Sequence, residues 1–210
     1  MTAGGRAAGA TARPAGAILA GGRASRFGGR AKGLEVVGGV RIVDRVLAAL
    51  KEVASDVLLV GASPSVAATL PQLQHLPDDS PGAGPLGGIL TALRATGRDT
   101  IVVAWDMPLL EGTDLQPLLD APADTDAVVW EHEGGIEPLC ALYRARAAQG
   151  LARAFSDGER SPREALRGLK VHVVRRDASE WPSPFASVNT TRDLDEAREA
   201  HTTMSRGRTR

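Results

Sequence analysis

The sequence predicts an α/β fold: a Rossmann-like, doubly wound, mostly parallel sheet with helices on both faces, in a single domain. Three observations predict it. Apolar, strand-like runs alternate with segments of helical periodicity through roughly the first 130 residues. These runs are continuously apolar rather than alternating, as strands are when helices cover both faces of a sheet. The links between them are short, as in repeated strand–helix–strand units.

The elements follow in order. "AGAILAG" (15–21) reads as a buried strand, and Ile42, Val43, Val46, Leu47 and Leu50 recur at helical spacing. "DVLLVG" (56–61) is a second strand and "LQHL" (73–76) a weak third. Residues 86–95 form a helix and "TIVVAW" (100–105) a strand. Thr113 can cap a helix running to about Leu119, before the strand "AVVW" (127–130). The rhythm then changes: strand "EPLCALYR" (137–144), a helix to about Phe155, another near 161–169, "VHVV" (171–174), a Pro-rich loop, and a final helix from about Thr191. Residues 1–15 and 201–210 are expected to be disordered tails around a domain at 16–200.

Composition removes several classes of function. Lys plus Arg and Asp plus Glu number 25 each, so no excess charge points to nucleic acid or a membrane surface. Aromatics make up 3%, too few for a base-stacking platform. The single cysteine, Cys140, excludes a disulfide framework and a thiolate metal cluster. It lies in an apolar strand pattern and is expected to be a buried, inert thiol. His75, His132, His172 and His201 are scattered without ligand spacing, and no G-x-S-x-G elbow occurs. No apolar run approaches the roughly 20 residues of a membrane span. The first 16 residues lack a continuous apolar stretch of signal-peptide type, so a cytoplasmic location is expected.

In doubly wound sheets the ligand occupies the crevice beyond the carboxyl ends of the strands. Three unusual stretches fall there: 21–32, 78–88 and 106–109. In the first, Gly21 and Gly22 let the backbone approach a ligand, and Arg23, Arg26, Arg30 and Lys32 supply cations. Bare N–H groups with Arg and Lys suit a polyphosphate; a flexible turn with solvated charges is the plainer use. The stretch is not a P-loop, because no Ser or Thr follows Lys32. In "WDMPLL" (105–110), Asp106 follows a buried strand and Pro108 ends it. A lone carboxylate there can hold Mg²⁺ together with phosphate oxygens, or simply serve the turn. In "PDDSPGAGPLGG" (77–88), Gly82 to Gly87 spell G-x-G-x-x-G with Asp106 about 20 residues on, so a dinucleotide fold is a rival. The strand before it is poor, "DDSP" separates strand from glycines, and the first strand already owns a different Gly loop; the alternative use is a loop whose Asp78 accepts hydrogen bonds from a base or ribose.

These stretches resemble one family. "LAGGRASRFGGRAKG" resembles the L-A-G-G-x-x-x-R-M-G-x-x-K signature of nucleotidyltransferases. "PDDSPGAGPLGGILTAL", "WDMPLL", "EPLCALYR", "DGER" and "VNTTRDLDEA" resemble, in order, the segments of the molybdenum cofactor guanylyltransferase branch. The likeness runs from about 16 to 198. It implies transfer of GMP from GTP to the phosphate of molybdopterin, with Mg²⁺ as cofactor and pyrophosphate released. It also implies transient contact with proteins that deliver the cofactor or use the product, a nucleotide-binding N-terminal half and an acceptor-binding C-terminal half. By this resemblance Leu19, Ala20 and Gly21 meet guanine and ribose, and Gly22 and Arg26 lie along the phosphates. Lys32 reaches the triphosphate, Asp78 binds nucleotide, Asp106 is the metal ligand, and Asn189 lies near the metal or the pterin phosphate. Arg26, Lys32 and Asp106 are the expected catalytic set. The sequence departs from the pattern at Ala31, where Asp is usual, at "VGA" (60–62), where an Asn is frequent, and at Phe27 for Met. A cytidylyltransferase on the same acceptor, another nucleotidyltransferase, or a relative that binds nucleotide without turnover are the alternatives.

Overall fold

Along the first strand, Ile18 and Ala20 enter one apolar cluster while Ala17 and Leu19 enter another, and all four are buried. That split is the period of a strand with helices on both of its faces. The computed structural model describes residues 13–21, 31–79, 82–132, 135–175 and 183–207. In chain order, β1 (Ala15–Leu19) is followed by a 3₁₀ turn (Lys32–Leu34), β2 (Val36–Val37), β3 (Val40–Arg41) and α1 (Ile42–Val53). Next come β4 (Val57–Val60), α2 (Pro64–Ala67), β5 (Gln74–Leu76), α3 (Gly84–Thr96) and β6 (Thr100–Ala104). The second half holds β7 (Ala127–His132), β8 (Gly135–Tyr143), α4 (Ala147–Ser156), α5 (Pro162–Ala165), β9 (Val171–Arg175) and α6 (Thr191–Gly207).

Seven strands form one sheet in the order β5-β4-β1-β6-β8-β7-β9. All neighbours pair in parallel except β8, which is antiparallel to both β6 and β7. The expected doubly wound, mostly parallel sheet is therefore present. Helix α1 covers one face through Val43, Val46 and Leu50, and α3 and α4 cover the other through Leu86, Ile89, Leu90 and Leu151. Because β4 and β6 flank β1 on opposite sides, the connections diverge at the carboxyl ends of β1 and β6. A crevice must open there.

Several expectations are corrected. The helix expected at 113–119 is two 3₁₀ turns, Gly112–Asp114 and Gln116–Leu118. The Asp114 carbonyl accepts from Trp130 Nε1 at 3.0 Å, so the Leu118 N–H bonds to Leu115 O instead. The cap there is a reciprocal Glu111–Asp114 box rather than Thr113. The helix near 161–169 is α5, capped by the Ser161 hydroxyl, plus a 3₁₀ turn at Leu166–Gly168. The tail expected from residue 201 is instead helical through Gly207. There Thr202, Thr203 and Ser205 each bond a carbonyl one turn back, and His201 packs against Gly38. Ala15, placed in the N-terminal tail, is the first residue of β1; residues 1–12 lie outside the described ones. The hairpin β2–β3 and the short helix α2 carry no periodicity that the sequence reading detects.

Tyr143 is wholly buried and its hydroxyl donates to Pro138 O at 2.9 Å, tying the two ends of β8 together. Tyr143→Phe keeps the ring but leaves that carbonyl without its donor. It should lower unfolding free energy by about 1–2 kcal/mol, read from the urea midpoint at unchanged m-value; an unchanged midpoint would mean the bond contributes nothing.

Candidate active site

A cleft of about 800 Å³ opens where the strand connections diverge, lined by Leu19, Gly21, Lys32, Asp78, Gly82 and Asp106 among others. Its floor is bare backbone. Gly61 ends β4 at φ +74, and a Cβ there would lie 3.4 Å from the Gly21 Cα. The "VGA" departure thus has a physical reason: the turn favours glycine and the strand ends approach closely. Gly82 and Gly84 also adopt positive φ and lead into α3, whose amino end faces the cleft. A thirteen-residue helix presents unpaired N–H groups and the positive end of its dipole to an anion. The G-x-G-x-x-G stretch follows the short edge strand β5, not the central β1, so the dinucleotide arrangement is absent.

Lys32 and Asp106 meet in the cleft. Lys32 begins the 3₁₀ turn, and its successor Gly33 is pressed onto Trp105: a Cβ on Gly33 would lie 2.4 Å from the indole Cε3. Trp105 extends the β1–β6 pairing, its N–H donating to Leu19 O. The sheet end therefore sets the height of the lysine turn. Lys32 Nζ lies 3.7 Å from Asp106 Oδ2 and donates to Asn189 Oδ1 at 2.7 Å. Asn189 comes from the C-terminal loop, which is pinned to the same place by Val188 N donating to Asp106 O at 2.9 Å. The loop is fixed in turn by Asp193, whose Oδ2 accepts from the N–H groups of Asn189 (2.7 Å) and Thr190 (2.8 Å). Thr190 Oγ1 accepts from Asp193 N at 3.2 Å, which completes a capping box on α6.

Burial pushes the Asp106 carboxyl above the ordinary aspartate range, and Lys32 and Ser187 pull it back only in part. The side chain is 13% exposed, so desolvation outweighs the charge of Lys32. A second cation would complete the compensation. Two hard oxygen donors, the Asp106 carboxylate and Asn189 Oδ1, surround the lysine, which fits Mg²⁺ shared with phosphate oxygens. No cluster of three or more His, Cys, Asp or Glu occurs among the described residues, so zinc-type ligation finds no donor set.

Of the expected site residues, Leu19, Gly21, Lys32, Asp78 and Asp106 line one cleft, and Asn189 joins it through Lys32. Ala20 lies beneath, its N–H donating to Val60 O and its methyl in the core. Gly22 and Arg26 lie outside the described residues. Ala31 holds no charge; it is half-buried against the core and its carbonyl accepts from Leu34 N. Cys140 is fully buried and its thiol is pushed well up by desolvation, as an inert thiol should be. Sequence reading missed Trp105, Gly33, Ser187 and Asp193. Only Asp193 had a readable signal, the Thr190-x-x-Asp193 spacing.

A divergence-point cleft with a glycine floor, a helix amino end and a lysine–aspartate pair defines a nucleotidyltransferase. More narrowly, the chain belongs to the MobA-like NTP transferase family, whose domain matches residues 16–173. A probable molybdenum cofactor guanylyltransferase of Chloroflexus aggregans is 35% identical over 191 residues, 85% of this chain and 90% of its own. The molybdenum cofactor guanylyltransferase of Desulfosudis oleivorans is 29% identical over 198 residues, 88% of this chain and 94% of its own. Among solved structures, molybdopterin-guanine dinucleotide biosynthesis protein A from Archaeoglobus fulgidus aligns with a TM-score of 0.73 at 27% identity, covering 90% of this chain and 99% of that one.

Removing the α6 cap should act on both stability and turnover. Asp193→Ala is expected to cost about 1 kcal/mol of stability and, by releasing Asn189, to lower kcat about tenfold or 1.4 kcal/mol. Burial raises the Asp193 carboxyl, but the N–H and hydroxyl donors outweigh it and hold it below the ordinary value of 3.8. Its ionic stabilisation is therefore present above that value and lost as pH falls through the lower folded value. The melting temperatures of wild type and Asp193→Asn should converge as pH falls through that lower folded value; a gap that persists there would assign the effect to packing.

Proposed function

We propose that this protein transfers GMP from GTP to the terminal phosphate of a molybdopterin-type acceptor, releasing pyrophosphate. The observation that carries the reading is the position of Lys32. It joins the nucleotide half of the cleft, through Asp106, to the C-terminal half, through Asn189. The names of the full-length relatives supply the base and the acceptor.

An acceptor phosphate oxygen attacks the α-phosphorus of GTP. A new P–O bond forms as the bond to the β-phosphate bridging oxygen breaks, and pyrophosphate leaves with that electron pair. The acceptor oxygen is already anionic, so no general base is needed. The barrier is repulsion between two anions and charge building on the leaving group. Gly21, Gly82 and the amino end of α3 let the nucleotide backbone and phosphates approach, and Asp78 takes hydrogen bonds from base or ribose. Lys32 lies where it can follow charge from triphosphate to pyrophosphate. Asp106, with Asn189, would hold Mg²⁺, which when bound supplies further charge neutralisation. Holding both substrates in line supplies up to roughly 7–11 kcal/mol in favourable cases. Among the described residues no helix is long and apolar enough to cross a membrane, and a GTP-consuming reaction suits the cytoplasm.

The first test is a thermal-shift panel of GTP, CTP, ATP, UTP and NAD, each with and without Mg²⁺. A ligand at 100 times its Kd adds about 2.7 kcal/mol, so a GTP-selective, Mg²⁺-enhanced rise in Tm is expected. A CTP preference would move the protein to the cytidylyl branch, and no shift with any nucleotide would favour a relative without turnover. Asp106→Ala should abolish Mg²⁺-dependent turnover while leaving the fold intact by circular dichroism; near-normal turnover would remove it as the metal ligand.

A further inference from the structure

A carboxylate that the transfer step does not use, Glu137, bonds the backbone of a cleft-lining residue and feels the charge of Asp106. Strand β6 pairs with β8 as far as Val103 opposite Cys140. From there β6 ends, while β8 runs on toward Gly135 against β7 alone. Past an irregularity in β8, Glu137 pairs with Trp130 of β7 and lies close enough to Asp106 to feel its charge. Leu139, two residues on, lines the cleft. Pro138 has no N–H to offer along this edge. The Leu139 N–H is taken by Glu137 Oε1 at 3.0 Å, which fixes the carboxylate against the cleft wall.

The other oxygen, Oε2, lies 3.9 Å from His132 Nε2, too long for a hydrogen bond. Arg163 approaches from α5 and spends one donor on Ile136 O at 2.8 Å. The side chain is 19% exposed. Burial pushes its carboxyl up, the Leu139 N–H, His132 and Arg163 hold it back, and Asp106 pushes it up further. A half-desolvated carboxylate in this place is costly without donors to meet it. It repels phosphate, so it cannot serve the triphosphate or the acceptor phosphate. A ring bearing two adjacent N–H donors matches it, because each carboxylate oxygen has a lone pair to spare.

We propose that Glu137 recognises the donor edge of the acceptor's aminopyrimidinone ring, accepting hydrogen bonds from the ring N–H and the exocyclic amine. This rests on the pterin-acceptor reading above. Guanine carries the same edge, so the cleft would have a carboxylate at each end: Asp78 for the nucleotide and Glu137 for the acceptor, with Lys32 and Asp106 between them. An acceptor lacking those donors would leave Glu137 buried and unmet, which is how such a site rejects analogues.

The test is binding of a fluorescent pterin monophosphate to the full chain, alongside GTP affinity and transfer kinetics. Glu137→Gln keeps an oxygen for the Leu139 N–H but turns an amine toward the ring donors. It should weaken pterin monophosphate at least tenfold and raise the acceptor KM to match, with GTP affinity and Tm unchanged. Glu137→Asp, which keeps the charge one methylene back, should lose less. Equal pterin binding by wild type and Glu137→Gln overturns the proposal, as does an equal loss of GTP affinity, which would put the residue on the nucleotide side. If wild type binds the pterin but transfers nothing to it, the transferase reading fails while the binding comparison still decides Glu137.

Discussion

Lys32 cannot take its place without three segments that lie far apart in the chain. Its ammonium sits between a carboxylate at the end of β6 and a carboxamide before α6, and its turn rests on the indole of Trp105. Each partner is fixed by something else. Trp105 is held by the β1 ladder, Asn189 by the Asp193 cap, and the 188–189 backbone by Asp106 O. The charge balance shows what this costs. Burial raises the Asp106 carboxyl more than Lys32 lowers it. A divalent cation beside Asp106 would favour its charged form.

The sheet explains why this meeting happens in one place. Both neighbours of β1 run parallel to it, so all three strands send their connections out at the same end. The single reversal, β8, brings a strand back along β6 and leaves its first residues standing beyond the end of its partner. That overhang turns a flat parallel-sheet crevice into a cleft with a second wall. The glycine side holds Gly61 against Gly21, and the cleft lining also takes in Leu139 of β8. The antiparallel strand is thus the feature that adds this wall to the cleft.

The glycine floor and the cap on α6 do opposite work. Glycines remove side chains so that backbone can meet ligand, while Asp193 adds three hydrogen bonds so that one short loop cannot drift. A site of this kind needs both, because a transfer between two anions is governed by approach and position more than by covalent help from the protein.

By itself the sequence determined the α/β class, nearly every sheet strand, and that Gly21, Lys32, Asp78 and Asp106 fall at one crevice. These follow from local patterns: continuous apolar runs, glycine next to cations, an acid closing a strand. It misjudged 113–119 and the end of α6. In the first, Trp130 takes a carbonyl that a helix would need; in the second, the turn beyond residue 200 gains support from Gly38. Only the tertiary structure decided that Asn189 bonds Lys32, that Gly33 must be bare beneath it, that Asp193 holds the loop, and that Glu137 bonds the Leu139 N–H. Those facts depend on contacts across up to 157 positions of chain, and no periodicity or spacing encodes which distant segment a side chain will meet.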